Sequence, residues 1–174
     1  MKKLNLGCGK DIRQGYINLD KKHLEGVDIV HDIEDLPFPF ENEEFDEILC
    51  QDILEHVDYI KVIRELYRIL KIDGLLKIRV PHFTAANNYR DPTHKHLFSF
   101  RTFEFFIKNN LYRTYYFDFY FSEIKKRHIS FSRGSIWTRF VEYIVNLNDF
   151  MKEFYEISWL RIIPASNIYI EIIK

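Results

Sequence analysis

A short apolar run, Leu4-Asn5-Leu6, is broken at once by Gly7-Cys8-Gly9, and this junction constrains the rest of the chain. Neither glycine carries a Cβ, so the backbone can turn sharply and approach a ligand closely. The turn follows a predicted first strand, and open α/β sheets bind ligands at the carboxyl ends of their strands. Only Lys10 to Gly15 separate it from a second apolar run, Tyr16-Ile17-Asn18-Leu19-Asp20. Parallel strands are normally joined by a dozen or more residues. This first crossover is therefore clipped, without room for a full helix. The dinucleotide fingerprint would need a third glycine at position 12, and Ile12 stands there instead. By itself the turn predicts a small polar ligand and does not say which.

Further strands and helices alternate behind it. Val27–Asp32 reads as a third strand and Phe45–Cys50 as a fourth, with the proline-broken Leu36–Phe40 as a loop between them. A helix is predicted from Asp58, a suitable N-cap, to Leu70, burying Tyr59, Ile63, Leu66 and Leu70. Lys71–Gly74 closes it, with Gly74 expected at positive φ. Leu75–Val80 is a fifth strand, stopped by Pro81. Residues 82–113 read as an insertion whose helix, Arg101–Asn109, turns Phe103, Phe106 and Ile107 inward. Tyr115–Phe131 is predicted as a long sixth strand and Asn167–Ile173 as the last. Between them Ser135–Tyr155 has apolar spacing of helical type at Trp137, Phe140, Val141, Ile144 and Val145, with a break near Asn146–Asn148. The alternation predicts one domain over residues 1–174, an α/β sheet covered by helices on both faces.

Composition narrows the function classes. No apolar run approaches the ~20 residues needed to span a bilayer, and Met1–Leu4 leads into a strand with no signal-peptide core. Cys8 and Cys50 are far apart in apolar runs, which favours reduced thiols and a cytoplasmic protein. The net charge of −1 hides an asymmetry: residues 1–80 hold 12 basic and 17 acidic side chains, residues 81–139 hold 10 and 4. The acidic first part argues against a long polyanion such as nucleic acid, while the basic middle suits a short anionic partner.

The ordered set Leu4-Asn5-Leu6-Gly7-Cys8-Gly9, Asp20, His31-Asp32-Ile33, Leu36-Pro37-Phe38, Phe45-Asp46-Glu47-Ile48, Leu54-Glu55-His56 and Arg68-Ile69-Leu70-Lys71 resembles class I S-adenosylmethionine-dependent methyltransferases. The likeness is greatest to the branch with a Leu-Glu-His step after strand four, and it covers residues 4–80. It implies a Rossmann-like sheet of seven strands, the last antiparallel and slotted between strands five and six. It also implies S-adenosyl-L-methionine as cofactor, held by Asn5, Leu6, Gly7, Cys8, Gly9, Asp20, Lys21, Asp32, Ile33 and Gln51. In that scheme Gly7 and Gly9 face the methionine part and ribose, and Asp20 holds the ribose hydroxyls. Asp32 and Ile33 lie by the adenine, and Gln51 beside the amino-acid end. The activity implied is methyl transfer to an oxygen or nitrogen atom of a small or carrier-bound acceptor, approached by the insertion and the helices near 131–155. Asp11 and Asn5 depart from the family pattern, which usually has a small residue and often an acid at those places.

Histidines stand where a base would be needed: His56 after strand four, His82 after strand five, His94 within the insertion. Each also has a purely structural reading. Asp52, Glu55, His56 and His82 have a spacing that could suit a metal, but capping and supporting roles are preferred and no metal is assigned. Tyr89, Arg90, Arg101 and Arg113 are the better acceptor contacts, while most of the twelve aromatics from Phe98 to Phe121 are assigned to the core. Three rivals remain: a non-catalytic cofactor-binding partner protein; a nicotinamide-dependent oxidoreductase, against which Ile12 and the clipped crossover argue; and transfer of another group from a sulfonium donor, which sequence does not separate. The oligomeric state is left open.

Overall fold

The computed structural model describes residues 1–108, 115–132, 134 and 136–174. Seven strands make one sheet: β1 (Lys3–Leu6), β2 (Ile17–Asp20), β3 (Ile29–Val30), β4 (Phe45–Gln51), β5 (Leu70–Pro81), β6 (Glu123–Phe131) and β7 (Ala165–Ile173). Their spatial order is β3-β2-β1-β4-β5-β7-β6. The first five are parallel, and β7 runs antiparallel to β5 on one side and β6 on the other. This is the Rossmann-like methyltransferase sheet, with the last strand inserted between the fifth and sixth.

Pairing sorts the side chains onto two unlike faces. Leu4, Ile48, Leu76 and Ile172 lie side by side on one, as do Leu6, Cys50, Ile78 and Ile170, and all are buried. Against them pack Val62, Ile63, Leu66 and Ile69 of α1 (Tyr59–Ile69) and a cluster of Phe98, Phe103, Phe106, Phe119 and Phe121. On the other face Lys3, Glu47, Lys77, Glu171 and Lys126 form a row of alternating charge across five strands. Lys3 and Lys77 both reach Glu47, at 4.0 and 3.0 Å, and Lys126 lies 3.9 Å from Glu171. Cross-strand pairs of opposite sign support a sheet that faces water. The helices are accordingly divided unequally. α1 and α4 (Asp149–Ile157) cover the apolar face, whereas α3 (Ile136–Val145) reaches the polar one through Glu142, 3.0 Å from His128.

The clipped crossover is held by side chains in place of a helix. Asn18 Oδ1 accepts from Asn5 Nδ2 at 3.0 Å and from the Arg13 N–H at 2.9 Å. Asn18 Nδ2 donates to the Arg13 carbonyl at 3.2 Å, and the Asn18 N–H donates to Asp28 at 2.7 Å. Two buried amides thus close a loop of ten residues, 7–16, without regular structure.

Several expected elements are corrected. The third strand shrinks to Ile29–Val30. β5 starts directly at Leu70, with a register shift opposite Phe45–Glu47, so Lys71–Gly74 lie inside it. Asp73, not Gly74, takes positive φ (61°); Gly74 is needed because a Cβ there would lie 2.8 Å from the Lys71 carbonyl oxygen. Asp58 makes no side-chain cap and pairs instead with Lys61. The helix expected at 101–109 is a 3-10 turn, Thr102–Phe106, because the Phe121 N–H and carbonyl capture the backbone at Phe106 and Lys108. The sixth strand begins only at Glu123, with Tyr115 and Tyr116 exposed ahead of it. Asn148 caps α4 by accepting from the Met151 N–H, so the break near 146–148 is present. Within the apolar spacing ahead of that break, Trp137 (74% exposed) and Phe140 face outward. Glu142 and Asn146, bonded to the backbone of Phe131 and Ile129, fix the inward side of α3.

Candidate active site

The ends of β1, β2 and β4 converge on two adjoining clefts. The larger, about 590 Å³, is lined by Gly7, Asp20, Lys21, Asp32, Ile33, His56 and the insertion residues Pro92, Thr93 and Lys95, among others. The smaller, about 280 Å³, is lined by Asn5, Gly7, Cys8, Lys10, Asp11, Gln51 and Arg79. Gly7, Asp52 and Ile53 belong to both. A Cβ on Gly7 would lie 2.2 Å from Ile53 Cδ1, and the residue sits at φ 62°, so only glycine fits where the two clefts meet.

Asp20 closes β2 at the lip of the larger cleft. Its Oδ2 accepts from the Gly9 N–H at 2.8 Å and its Oδ1 from the Lys22 N–H at 2.9 Å. A carboxylate offers about four lone-pair sites, so about two remain for a ligand. Asp32 accepts from the Glu34 N–H at 3.0 Å, which fixes the turn beside Ile33. Lys95 reaches Glu34 at 3.2 Å and so ties the insertion to the loop after β3 across the cleft.

The remaining nominated residues separate by role. Asn5 is buried and serves the crossover, its amide donating to Asp11 O at 2.7 Å as well as to Asn18. Leu6 is core, and Gly9 contributes its N–H to Asp20. Gln51 accepts from Arg13 at 3.3 Å. Cys8 and Cys50 are free thiols, each pushed up chiefly by burial, Cys8 also by Asp20 and Cys50 by Glu55. His82 is fully buried away from both clefts: its Nδ1 accepts from the Thr84 N–H at 3.2 Å and its Nε2 faces Glu156 at 3.1 Å. His56 lines the larger cleft, and His94 stands edge-on to it, ring centres 4.7 Å apart, above a small depression shared with Arg90 and Asp91. Burial first, then His56, holds the His94 imidazole below its usual range. Burial pushes the neighbouring Glu55 carboxyl up to about 7, Asp52 adding to it. Of the acceptor candidates, Tyr89 is exposed, Arg101 is bound by Glu104 and Glu153, and Arg113 lies outside the described residues.

Sequence reasoning missed Arg79 and Ile53, and weighed Asp52 only beside a possible metal. Asp52, at φ 55°, accepts from Arg79 Nε at 2.9 Å, a contact between the ends of two neighbouring strands. Its only local signal was its place one residue past a strand.

Strand order and paired clefts at the carboxyl ends of β1, β2 and β4 define the class I S-adenosylmethionine-dependent methyltransferase fold. Residues 4–78 match the family model described as a methyltransferase domain. Among solved structures, an S-adenosylmethionine-dependent methyltransferase from Archaeoglobus fulgidus is similar at 18% identity, covering 99% of this chain and 86% of the other with a TM-score of 0.66. The [4+2]-cyclase SpnF is similar at 15% identity, covering 99% and 74% with a TM-score of 0.59. A curated, uncharacterized protein of Methanocaldococcus jannaschii is 47% identical over 45 residues, 26% of this chain and 20% of that protein. No helix among the described residues is long and apolar enough to cross a membrane.

Proposed function

We propose that the protein transfers the methyl group of S-adenosyl-L-methionine to an oxygen or nitrogen atom of a small or carrier-bound acceptor. Since a cyclase shares the fold, the reading is argued from the site. The observation that carries it is the position of Asp20, its carboxylate half committed to Gly9 and Lys22 at the lip of a cleft large enough for a nucleoside. The two free lone-pair sites suit the vicinal hydroxyls of a ribose, through charge-assisted hydrogen bonds. Asp32 and Ile33 then accept the adenine amino group and pack on its ring. The amino-acid end enters the smaller cleft beside Arg79 and Gln51. The sulfonium lies at Gly7, where the clefts join, and the acceptor comes in past His56 and Thr93. The donor is already activated, so the protein's main task is alignment, a term of about 7–11 kcal/mol.

Calorimetry with S-adenosylhomocysteine tests this. Micromolar binding is expected, on the order of −8 kcal/mol, weakened at least tenfold in Asp20→Ala, with no binding of nicotinamide dinucleotides. Unchanged affinity in Asp20→Ala would overturn the placement of the sugar.

A further inference from the structure

We infer that Glu55, His56 and His94 form a binding site for a divalent first-row transition-metal ion. Each offers a ligand atom, and the three atoms lie within 4.8 Å of one another. Glu55 is 1% exposed, and its Oε2 has no hydrogen-bond partner. The His94 side chain is 7% exposed, and its Nδ1 is likewise buried without a partner. A buried polar atom left unpaired costs about 1–3 kcal/mol. Here two such atoms belong to residues of one cluster that stand 39 apart in the sequence.

Neighbouring side chains set the His56 imidazole in the state that binds a metal. Thr93 Oγ1 donates its one proton to Asp91 Oδ1 at 2.6 Å, so it accepts from His56 Nδ1 at 2.9 Å. That leaves the lone pair of His56 on Nε2. Asp91 Oδ2 also lies 3.8 Å from His94 Nε2, on the far side of that ring from its unpartnered Nδ1. The Asp91–Thr93–His56 chain is the kind of carboxylate-backed support found behind metal-binding imidazoles. Two imidazoles and a carboxylate are the donor set of zinc, iron, cobalt, nickel or manganese, not of magnesium or calcium. Ligands on a four-coordinate ion with bonds of about 2.1 Å stand about 3.4 Å apart, within side-chain adjustment of atoms already inside 4.8 Å of one another.

The ion would clip the insertion to the end of β4. His56 and Thr93 also line the larger cleft, so an open ligand position would face the space given above to the acceptor. Resting on that reading, an acceptor presenting an oxygen donor is the kind the site takes.

The full chain, stripped with a chelator, is titrated with Co²⁺ by calorimetry and visible absorption. The expected result is one equivalent bound at micromolar or tighter affinity, with ligand-field bands and a raised melting temperature. Glu55→Gln and His94→Ala each weaken it at least tenfold and lose the bands, while His23→Ala, at an exposed histidine, leaves it unchanged. Retained S-adenosylhomocysteine binding shows that the variants are folded; if His94→Ala fails that check, the isosteric Glu55→Gln decides. Absence of Co²⁺ binding at millimolar ion, or equal binding by Glu55→Gln, would overturn the site. Failure of the wild type to bind S-adenosylhomocysteine would instead strike the methyltransferase reading, leaving the metal result legible.

Discussion

At the β3–β2–β1 end of the sheet the connections are short and polar; at the β7–β6 end they are long and aromatic. The first end is held by amides and carboxylates, with Asn5, Asn18 and Asp28 standing in for a crossover helix. The second buries Phe98, Phe103, Phe106 and Phe121, yet its C-terminal helices put charge inside and rings outside. In α4, Lys152, Tyr155 and Glu156 are buried while Phe150 (71% exposed), Phe154 and Ile157 face out. Glu156 alone accepts from Ser99 Oγ at 2.6 Å and the Phe100 N–H at 2.9 Å, and faces His82. Apolar spacing therefore predicts that a helix is amphipathic, but not which side meets the core. A buried carboxylate with several donors can decide that.

The widest contrast is among aromatics of equal size. Phe121→Ala, at a fully buried ring, should cost about 3–5 kcal/mol by denaturant unfolding. Phe150→Ala, on the outward stripe, should stay within about 0.5 kcal/mol; equal losses would mean that the stripe belongs to the core. Next comes the polar end: Asn18→Ala leaves the Arg13 N–H unpaired and the Asn5 amide with only its bond to Asp11, and should cost about 1–3 kcal/mol. Because it loosens the glycine turn, it should also weaken S-adenosylhomocysteine binding, whereas Phe150→Ala should not. The smallest effect concerns acid stability. Burial raises the Glu47 carboxyl, but hydrogen bonds from Tyr16 and Lys77 outweigh it and hold the group below its ordinary range. Its contribution is thus present above the unfolded value near 4.5 and lost as pH falls through the lower folded value. Glu47→Gln should flatten the acid limb of a melting-temperature profile while leaving the limb above pH 7 in shape.

This contrast also explains what was legible in the chain. Gly7 and the acids Asp20 and Asp32 announce themselves locally, since a tight turn and a strand-end carboxylate are written within a few residues. Arg79 and Asp52 do not, because their meeting depends on β4 and β5 being neighbours. The orientation of α3 and α4 was illegible for the same reason: Glu142, Asn146 and Glu156 find their partners on distant segments. His94 lies 38 residues beyond His56, and only the folded insertion brings their rings together.

The helix missing after β1 has an electrostatic consequence. A glycine turn that opens a helix offers an anion the positive end of the helix macrodipole. Here residues 7–16 supply no such end, so on the proposed placement a carboxylate entering the smaller cleft would rely on Lys10 and on Arg79, which already pairs with Asp52. Such partly exposed charges are screened over about 8–10 Å at moderate ionic strength, so on that placement added salt should loosen the amino-acid end of a cofactor more than the ring packed on Ile33.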